Sequence, residues 1–299
     1  MANKETFTYK TVGSLEIQAD VYREGTGPER AVILWIHGGA LIMGSRAKLP
    51  PAALLNRLLN RYIVVSIDYR LAPETRLDGI VEDVDDAYAW LVGQGPELFG
   101  ANANRIAVMG MSAGGYLALT TGYRAQPKPR AIVSFYGYGD LTGAWYSQPS
   151  QFYSDHYLAV SREEGYAPVS GPPISNAPDG EGIKGRPGFY LYCRQNGLWP
   201  QGVSGHNPIT DAAWFKPYEP LWNITPSYPP TLLLHGKKDT DVPFEQSALM
   251  KRELEWNRVP CELVSHPEWQ HAFDVEQQDA PALPETFDKI MAFFAAHVG

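Results

Sequence analysis

Residues 105–123 read RIAVMGMSAGGYLALTTGY. An apolar run ends in GMSAGG, Gly110 to Gly115, and a second apolar run follows at once. The first run fits a buried strand and the second a helix, so the residues between them must turn the chain sharply. Small side chains permit such a turn and leave Ser112 at its apex, lifted off the sheet. A serine hydroxyl is a weak nucleophile at neutral pH. It becomes useful only beside a base, an orienting group for that base, and donors for the oxyanion. The bland alternative is a serine in an ordinary tight turn, and the rest of the chain decides between the two.

Outward from this turn, apolar runs alternate with amphipathic stretches. Segments 31–36, 63–67, 106–109, 131–136, 231–234 and 261–265 read as buried strands. Helical spacing occupies 49–60, 80–92, the stretch from Ala113, 244–256 and 285–297. Residues 6–23 alternate like an antiparallel pair turning at Gly13-Ser14. This order predicts an α/β fold with a mostly parallel central sheet and helices on both faces. One stretch breaks the rhythm. Residues 138–230 are rich in Tyr, Trp, Gly and Pro and are too long for an ordinary connection. They are expected to form a cap inserted late in a single domain spanning 1–299, since so many aromatics need a surface to pack on.

Composition narrows the partners. Lys and Arg total 25 against 33 Asp and Glu, a formal charge of −8. An acidic chain argues against nucleic acid and anionic membrane. The opening MANKETFTYK has no apolar core of a signal peptide. No stretch approaches the roughly 20 apolar residues of a membrane helix. Cys193 and Cys261 lie far apart in no metal-like spacing and read as reduced thiols. The expectation is a soluble cytoplasmic protein needing no cofactor and no metal. The acidic run Glu82, Asp83, Asp85, Asp86 reads as the solvated face of a helix, because no calcium-loop spacing accompanies it.

Candidates for the remaining catalytic parts stand at strand ends. His37-Gly38-Gly39-Ala40 follows the strand at 31–36, and its small residues leave backbone N–H groups able to face a developing negative charge. Asp239 lies just past the strand in LLLHGKKDTDVPFEQS, residues 232–247, and His271 lies in HPEWQHAF, residues 266–273. Ser112, Asp239 and His271 follow one another in the order expected of a nucleophile elbow with its partners. Rivals exist. Asp241 is expected to cap the helix beginning near Pro243. His266 reads as a turn residue, His235 as structural, and His37 as packed beneath its loop. Tyr69, Arg70 and Glu74 read as scaffold.

HGGA at 37–40, DYRLAPE at 68–74, GMSAGG at 110–115, HGKKDTDVP at 235–243 and HAF at 271–273 together resemble the α/β-hydrolases. The nearest resemblance is to hormone-sensitive-lipase-like esterases and related feruloyl-esterase-like and peptidase-like hydrolases. It implies Ser112 as nucleophile, His271 as base and Asp239, rather than Asp241, as orienting acid. It further implies oxyanion donors at Gly39, Ala40 and Ala113, with Gly38 as an additional candidate. The chain departs from the usual pattern in three ways: Ala40 replaces a third glycine, Met111 stands where Asp is common, and the long N-terminal cap is absent. The implied reaction is hydrolysis of a small carboxylic ester through an acyl-enzyme. An amide or peptide hydrolase with the same triad is the first alternative, and a non-catalytic small-molecule binder on the same scaffold is the second. Tyr136, Tyr138, Trp145 and Trp199 are candidate pocket residues, which suggests a substrate with an apolar or aromatic part. An exposed last strand or helix would allow a homodimer.

Overall fold

Val32, Leu34 and Ile36 point to one side of their strand and Ile33 and Trp35 to the other, and all five are fully buried. A strand with no polar side must be covered on both faces. The computed structural model, which describes residues 3–25, 29–177, 182–277, 279–280 and 282–299, shows how. The strands are β1 (Asn3–Val12), β2 (Leu15–Arg23), β3 (Arg30–Ile36), β4 (Ile63–Ile67), β5 (Ala101–Met111), β6 (Ala131–Phe135), β7 (Thr231–Gly236) and β8 (Cys261–His266). They form one 8-stranded sheet in the order β1-β2-β4-β3-β5-β6-β7-β8. β1 and β2 pair antiparallel, β2 joins β4 antiparallel, and every pair from β4 onward is parallel.

Helices α1 (Ala52–Leu59), α2 (Leu77–Phe99) and α3 (Ala113–Arg124) follow β3, β4 and β5. After β7 and β8 come α11 (Glu245–Trp256), the single turn α12 (Phe273–Glu276) and α13 (Ala282–Val298). Val32, Leu34 and Ile36 share one apolar core with Ile80, Val84 and Leu91 of α2 and with Tyr116 and Leu119 of α3. Ile33 and Trp35 share the other with Leu54 and Leu58 of α1 and with Phe287, Ile290 and Phe294 of α13. Among the described residues, no helix is long and apolar enough to cross a membrane.

Two expectations need correction. α2 continues well past residue 92, through Gly93, Gly95 and Pro96, to a left-handed stop at Gly100. Its last turn is held by tertiary packing, because Phe99 lies against Phe7 of β1 and Trp90. The acidic run on this helix is only in part a solvated face, with the Glu82 and Asp86 side chains exposed but that of Asp83 not. Asp83 is fully buried and takes both Nε and Nη2 of Arg70 at 2.7 Å. Asp85 takes Arg124 at 2.6 Å. Glu82, Asp83 and Asp86 do cluster closely enough to ligate a cation. However, the Lys10 ammonium already sits among them, at 3.2, 2.8 and 2.6 Å.

Between β6 and β7 the chain builds a row of short helices: α4 (Ala144–Ser147), α5 (Gln151–His156), α6 (Arg162–Tyr166), α7 (Arg186–Asn196), α8 (Trp199–Ser204), α9 (Ala212–Phe215) and α10 (Pro220–Asn223). Their buried side chains join the first core, among them Tyr146, Phe189, Trp199 and Phe215. Polar anchors tie this insertion to the loops beyond β3 and β4. Arg186 makes a paired contact with Glu74 at 2.7 Å, donates to the Ala72 carbonyl at 2.6 Å, and donates through Nε to the Ile42 carbonyl. Gly44 and Ala177 exchange backbone hydrogen bonds at 2.7 and 3.0 Å. Both charges of the Arg186–Glu74 pair are buried, so removing one strands the other. Arg186→Ala should therefore lower unfolding free energy by about 3–5 kcal/mol in urea titration. A loss below about 1 kcal/mol would match an exposed pair instead.

Candidate active site

Ser112 occupies φ 54°, ψ −121°, between the end of β5 and the start of α3. For a residue with a Cβ this is strained backbone, costing on the order of 1–3 kcal/mol. The surroundings impose it. The Ser112 N–H donates to the Phe135 carbonyl of β6 at 2.9 Å. On the other side of the turn, Gly114 lies so close to β3 that an added Cβ would sit 2.1 Å from the Ile36 carbonyl oxygen. The serine is thus held where β5 hands over to α3, with the positive end of the α3 dipole beneath it.

The structure brings Ser112, His271 and Asp239 into one chain of hydrogen bonds. His271 Nε2 is 3.1 Å from Ser112 Oγ, and Nδ1 is 2.8 Å from Asp239 Oδ2. The Asp239 side chain is fully buried. Its Oδ1 accepts the backbone N–H groups of Asp241 and Val242 at 2.9 and 2.8 Å. His235 adds a contact that the sequence reading missed, with Nε2 3.3 Å from Asp239 Oδ2. That nitrogen also lies 2.9 Å from the Val242 carbonyl, while Nδ1 lies 2.7 Å from Ser247 Oγ. Both neighbours of Nε2 are acceptors, which assigns the proton to Nε2 and leaves Nδ1 to accept the serine hydroxyl.

Electrostatics follow the geometry. Burial works against charge on Asp239, yet the His271 and His235 rings hold its carboxyl well below the usual carboxylate range. Burial alone would lower His271. The carboxylates of Asp239 and Asp241 outweigh it and push the imidazole up from 6.5 to about 9. Asp274, in the turn just after His271, goes the other way for a carboxyl. Burial pushes it up to about 6, against the hydrogen bond it accepts from Tyr136.

The loop after β3 faces Ser112. Gly39 has φ 114° and Ala40 has φ 56°. The Gly39 value suits glycine alone, and an added Cβ would lie 2.1 Å from the Met43 carbonyl oxygen. The Ala40 value falls in the small left-handed region still open to a residue with a Cβ, so the third small position of this loop does not require glycine. Among the described residues, the N–H groups of Gly39, Ala40 and Ala113 make no backbone hydrogen bond. Carbonyls of the same loop are all engaged: Gly39 takes Ile42 N–H at 2.9 Å, His37 takes the Tyr69 hydroxyl at 3.0 Å, and Ala40 takes Trp199 Nε1 at 3.1 Å. His37 stacks on Tyr69 with ring centres 4.3 Å apart. His266 accepts the Glu268 N–H within its turn.

These groups open into a cavity of about 230 Å³. Met43 and Met111 give it apolar walls, Gly38, Gly39 and Ala40 a backbone wall, and Lys48, Asp241 and Glu276 charged ones, with Tyr190 closing one side. Larger grooves elsewhere, such as one of about 430 Å³ beside Arg57 and Arg61, contain none of Ser112, Asp239 and His271. The four aromatic candidates are not among the residues lining the cavity. Tyr136 lies beneath His271, ring centres 4.6 Å apart, and donates its hydroxyl to Asp274 at 2.5 Å. Tyr138 is buried and stacked on Tyr116 at 5.1 Å. Trp145 stacks on Tyr146 at 3.6 Å, and Tyr146 stacks on Trp199 at 3.9 Å. The aromatics pack mainly on one another, which sequence spacing cannot distinguish from lining a pocket. Asp241 also differs from expectation. It caps no helix, because α11 begins at Glu245 with no side-chain cap, and it stands in the cavity wall instead.

Comparison with known proteins agrees with this fold. A family model described as the alpha/beta hydrolase fold matches residues 33–166, and the model of the prolyl oligopeptidase family matches residues 197–299. An alpha/beta hydrolase superfamily protein from Enterococcus faecalis superposes with a TM-score of 0.75 at 25% identity, covering 98% of each chain. A thermophilic esterase from Thermogutta terrifontis superposes at 0.68 with 20% identity, over 99% of this chain and 92% of its own. Non-reducing polyketide synthase ausA of Emericella nidulans is 30% identical over 319 residues, covering 91% of this chain and 13% of that protein. The chain spans about 13% of the length of the first curated relatives it matches. The sheet order, the elbow at Ser112 and both family models converge: the chain belongs to the α/β-hydrolase superfamily.

Proposed function

We propose that this protein is a serine hydrolase that cleaves small carboxylic esters through an acyl-enzyme, with the insertion at 138–230 as its cap. The observation that carries the reading is the unbroken contact from Ser112 Oγ through His271 to Asp239, at 3.1 and 2.8 Å. Ser112 Oγ attacks the ester carbonyl while its proton passes to His271 Nε2. Asp239 keeps the other ring proton on Nδ1 and stabilises the imidazolium. The carbonyl oxygen becomes an oxyanion, received by the N–H groups of Gly39, Ala40 and Ala113. Nε2 then protonates the departing alkoxide, leaving an acyl-serine. Water gives a proton to Nε2 as it attacks the acyl carbon; the bond from that carbon to Ser112 Oγ then breaks, Nε2 returns the proton to Oγ, and the acid leaves.

The modest cavity and its charged walls support a short acyl group and a polar remainder over a long apolar substrate. The two unbridged cysteines fit a reducing, cytoplasmic setting. Amide hydrolysis is the second reading, favoured by the prolyl oligopeptidase model over residues 197–299. Paired ester and amide substrates with the same acyl group separate the two.

Hydrolysis of p-nitrophenyl acetate and its longer acyl homologues tests the proposal. Ser112→Ala should abolish turnover, and Asp239→Asn should lower kcat by about 10⁴-fold through loss of the productive tautomer. A Ser112→Ala variant with full activity would remove the proposed nucleophile. His271 must be neutral to accept the serine proton, and its neighbours push it up to about 9. The kcat/KM profile should therefore rise with pH, its acid limb lying above the ordinary histidine value of 6.5. A limb at or below that value contradicts the assignment. The oxyanion loop has its own signature. Gly39→Ala should lower kcat by about 10²–10³-fold, whereas Ala40→Gly should change thermal stability by no more than about 1 kcal/mol.

A further inference from the structure

A second carboxylate lies beside the catalytic face of His271. Asp241 Oδ2 is 3.5 Å from Nε2, the nitrogen that also faces Ser112 Oγ at 3.1 Å. Asp239 occupies the opposite nitrogen at 2.8 Å, so the two acids act on different edges of one ring. Asp241 is held in place from α7 of the insertion. The Tyr190 hydroxyl donates to its Oδ1, and Arg194 Nη1 donates to the same oxygen at 3.2 Å. Arg194 Nη2 donates to the Asp241 backbone carbonyl at 3.1 Å.

Arg194 is buried, with only 3% of its side chain exposed. Its guanidinium lies 4.7 Å from the ring centre of Tyr146 and 4.9 Å from that of Tyr153. A cation this enclosed needs an anion within reach. Its anion here stands on the loop that supplies the triad acid. Other charged groups face the ring from other directions. Asp239 is on Nδ1, and Asp274 of α12 is engaged by Tyr136. Lys48 and Glu276 stand in the cavity wall. Among the described residues, Asp241 is the carboxylate placed against Nε2.

We propose that Asp241 is a positioning residue which, held by Tyr190 and Arg194, sets the pH at which His271 can take the Ser112 proton and so ties the readiness of the triad to the seating of α7. A carboxylate at this distance favours imidazolium over neutral imidazole. The Arg194 charge offsets part of that field. Removing the acid and removing the cation must therefore move His271 in opposite directions, which a merely structural role would not do. The kinetic consequence rests on the serine-hydrolase reading. The effect on the imidazole does not.

The test pairs two readouts on the full chain: the kcat/KM profile with p-nitrophenyl acetate, and the NMR titration of the His271 ring proton. Asp241→Asn should move both the acid limb and the ring titration down by about one pH unit or more. Arg194→Met should move both up. If that variant does not fold, Tyr190→Phe, which removes a hydrogen bond that draws negative charge away from the same carboxylate, is read for a smaller upward shift. A folded Asp241→Asn protein with unmoved limb and titration overturns the proposal, as does a downward shift on loss of the cation. If the parent hydrolyses no ester, the ring titration still decides the role of Asp241, and only the serine-hydrolase reading falls.

Discussion

The site depends on one close approach. Where α3 starts, its backbone presses on the end of β3 so tightly that only hydrogen fits on Gly114, a Cβ there falling 2.1 Å from the Ile36 carbonyl oxygen. That contact fixes the α3 N-terminus against the strand whose continuation is the Gly38-Gly39-Ala40 loop. It sets Ala113, whose N–H makes no backbone hydrogen bond among the described residues, beside the strand that leads into that loop. It also leaves Ser112 no relaxed conformation, since the chain must turn within one residue while its N–H stays bonded to β6. The parallel register from β3 through β7 supplies the frame, because each of these strands delivers its following loop to the same end of the sheet.

The second constraint is electrical. A fully buried carboxylate is costly unless its lone pairs are filled. Asp239 meets that demand locally, with two backbone N–H groups on one oxygen and two imidazoles on the other. The turn Asp239–Val242 thus folds around its own acid. His235 reaches the same oxygen from within β7 and is itself fixed by Ser247 of α11. The Asp239 carboxylate is held by the strand, the turn and the helix that follow one another in sequence, so its position is set by local chain as much as by long-range packing.

This local character explains what the sequence discloses. The elbow, the loop after β3, and the positions of Ser112, Asp239 and His271 at strand ends all arise from short-range chemistry: small residues where the backbone must bend, acid and imidazole where a strand stops. The buried strands show because a strand covered on both faces has no polar side. Other features arise between distant segments. Nothing in the spacing of Glu82, Asp83 and Asp86 announces that Lys10 and Arg70 will neutralise Asp83 inside the protein. Nothing in FYLY at 189–192 separates Tyr190, which reaches the cavity, from Phe189, which is core. Asp241 was visible as a rival to Asp239, but its true neighbours, Tyr190 and Arg194, lie some fifty residues earlier in the chain. Likewise, Tyr136 and Trp199 were recognisable as aromatics near the site, yet only packing shows that one lies under the histidine and the other on the Ala40 carbonyl.

The insertion is therefore better understood as a support than as a wall of aromatic side chains. Stacked Trp145, Tyr146 and Trp199 form a block with little rotamer freedom. From that region, Trp199 grips Ala40 while Arg186 grips Ile42, fixing the loop that faces Ser112. One helix of the same segment carries Tyr190 and Arg194 to Asp241, fixing the loop that carries Asp239. The proposed acyl transfer would need its donors and its base aligned within roughly half an ångström, and loops at strand ends do not hold that tolerance alone. Here both loops are braced by one apolar body joined to each through polar contacts. Displacing that body would loosen the Gly39–Ala40 loop and change the field on His271 together.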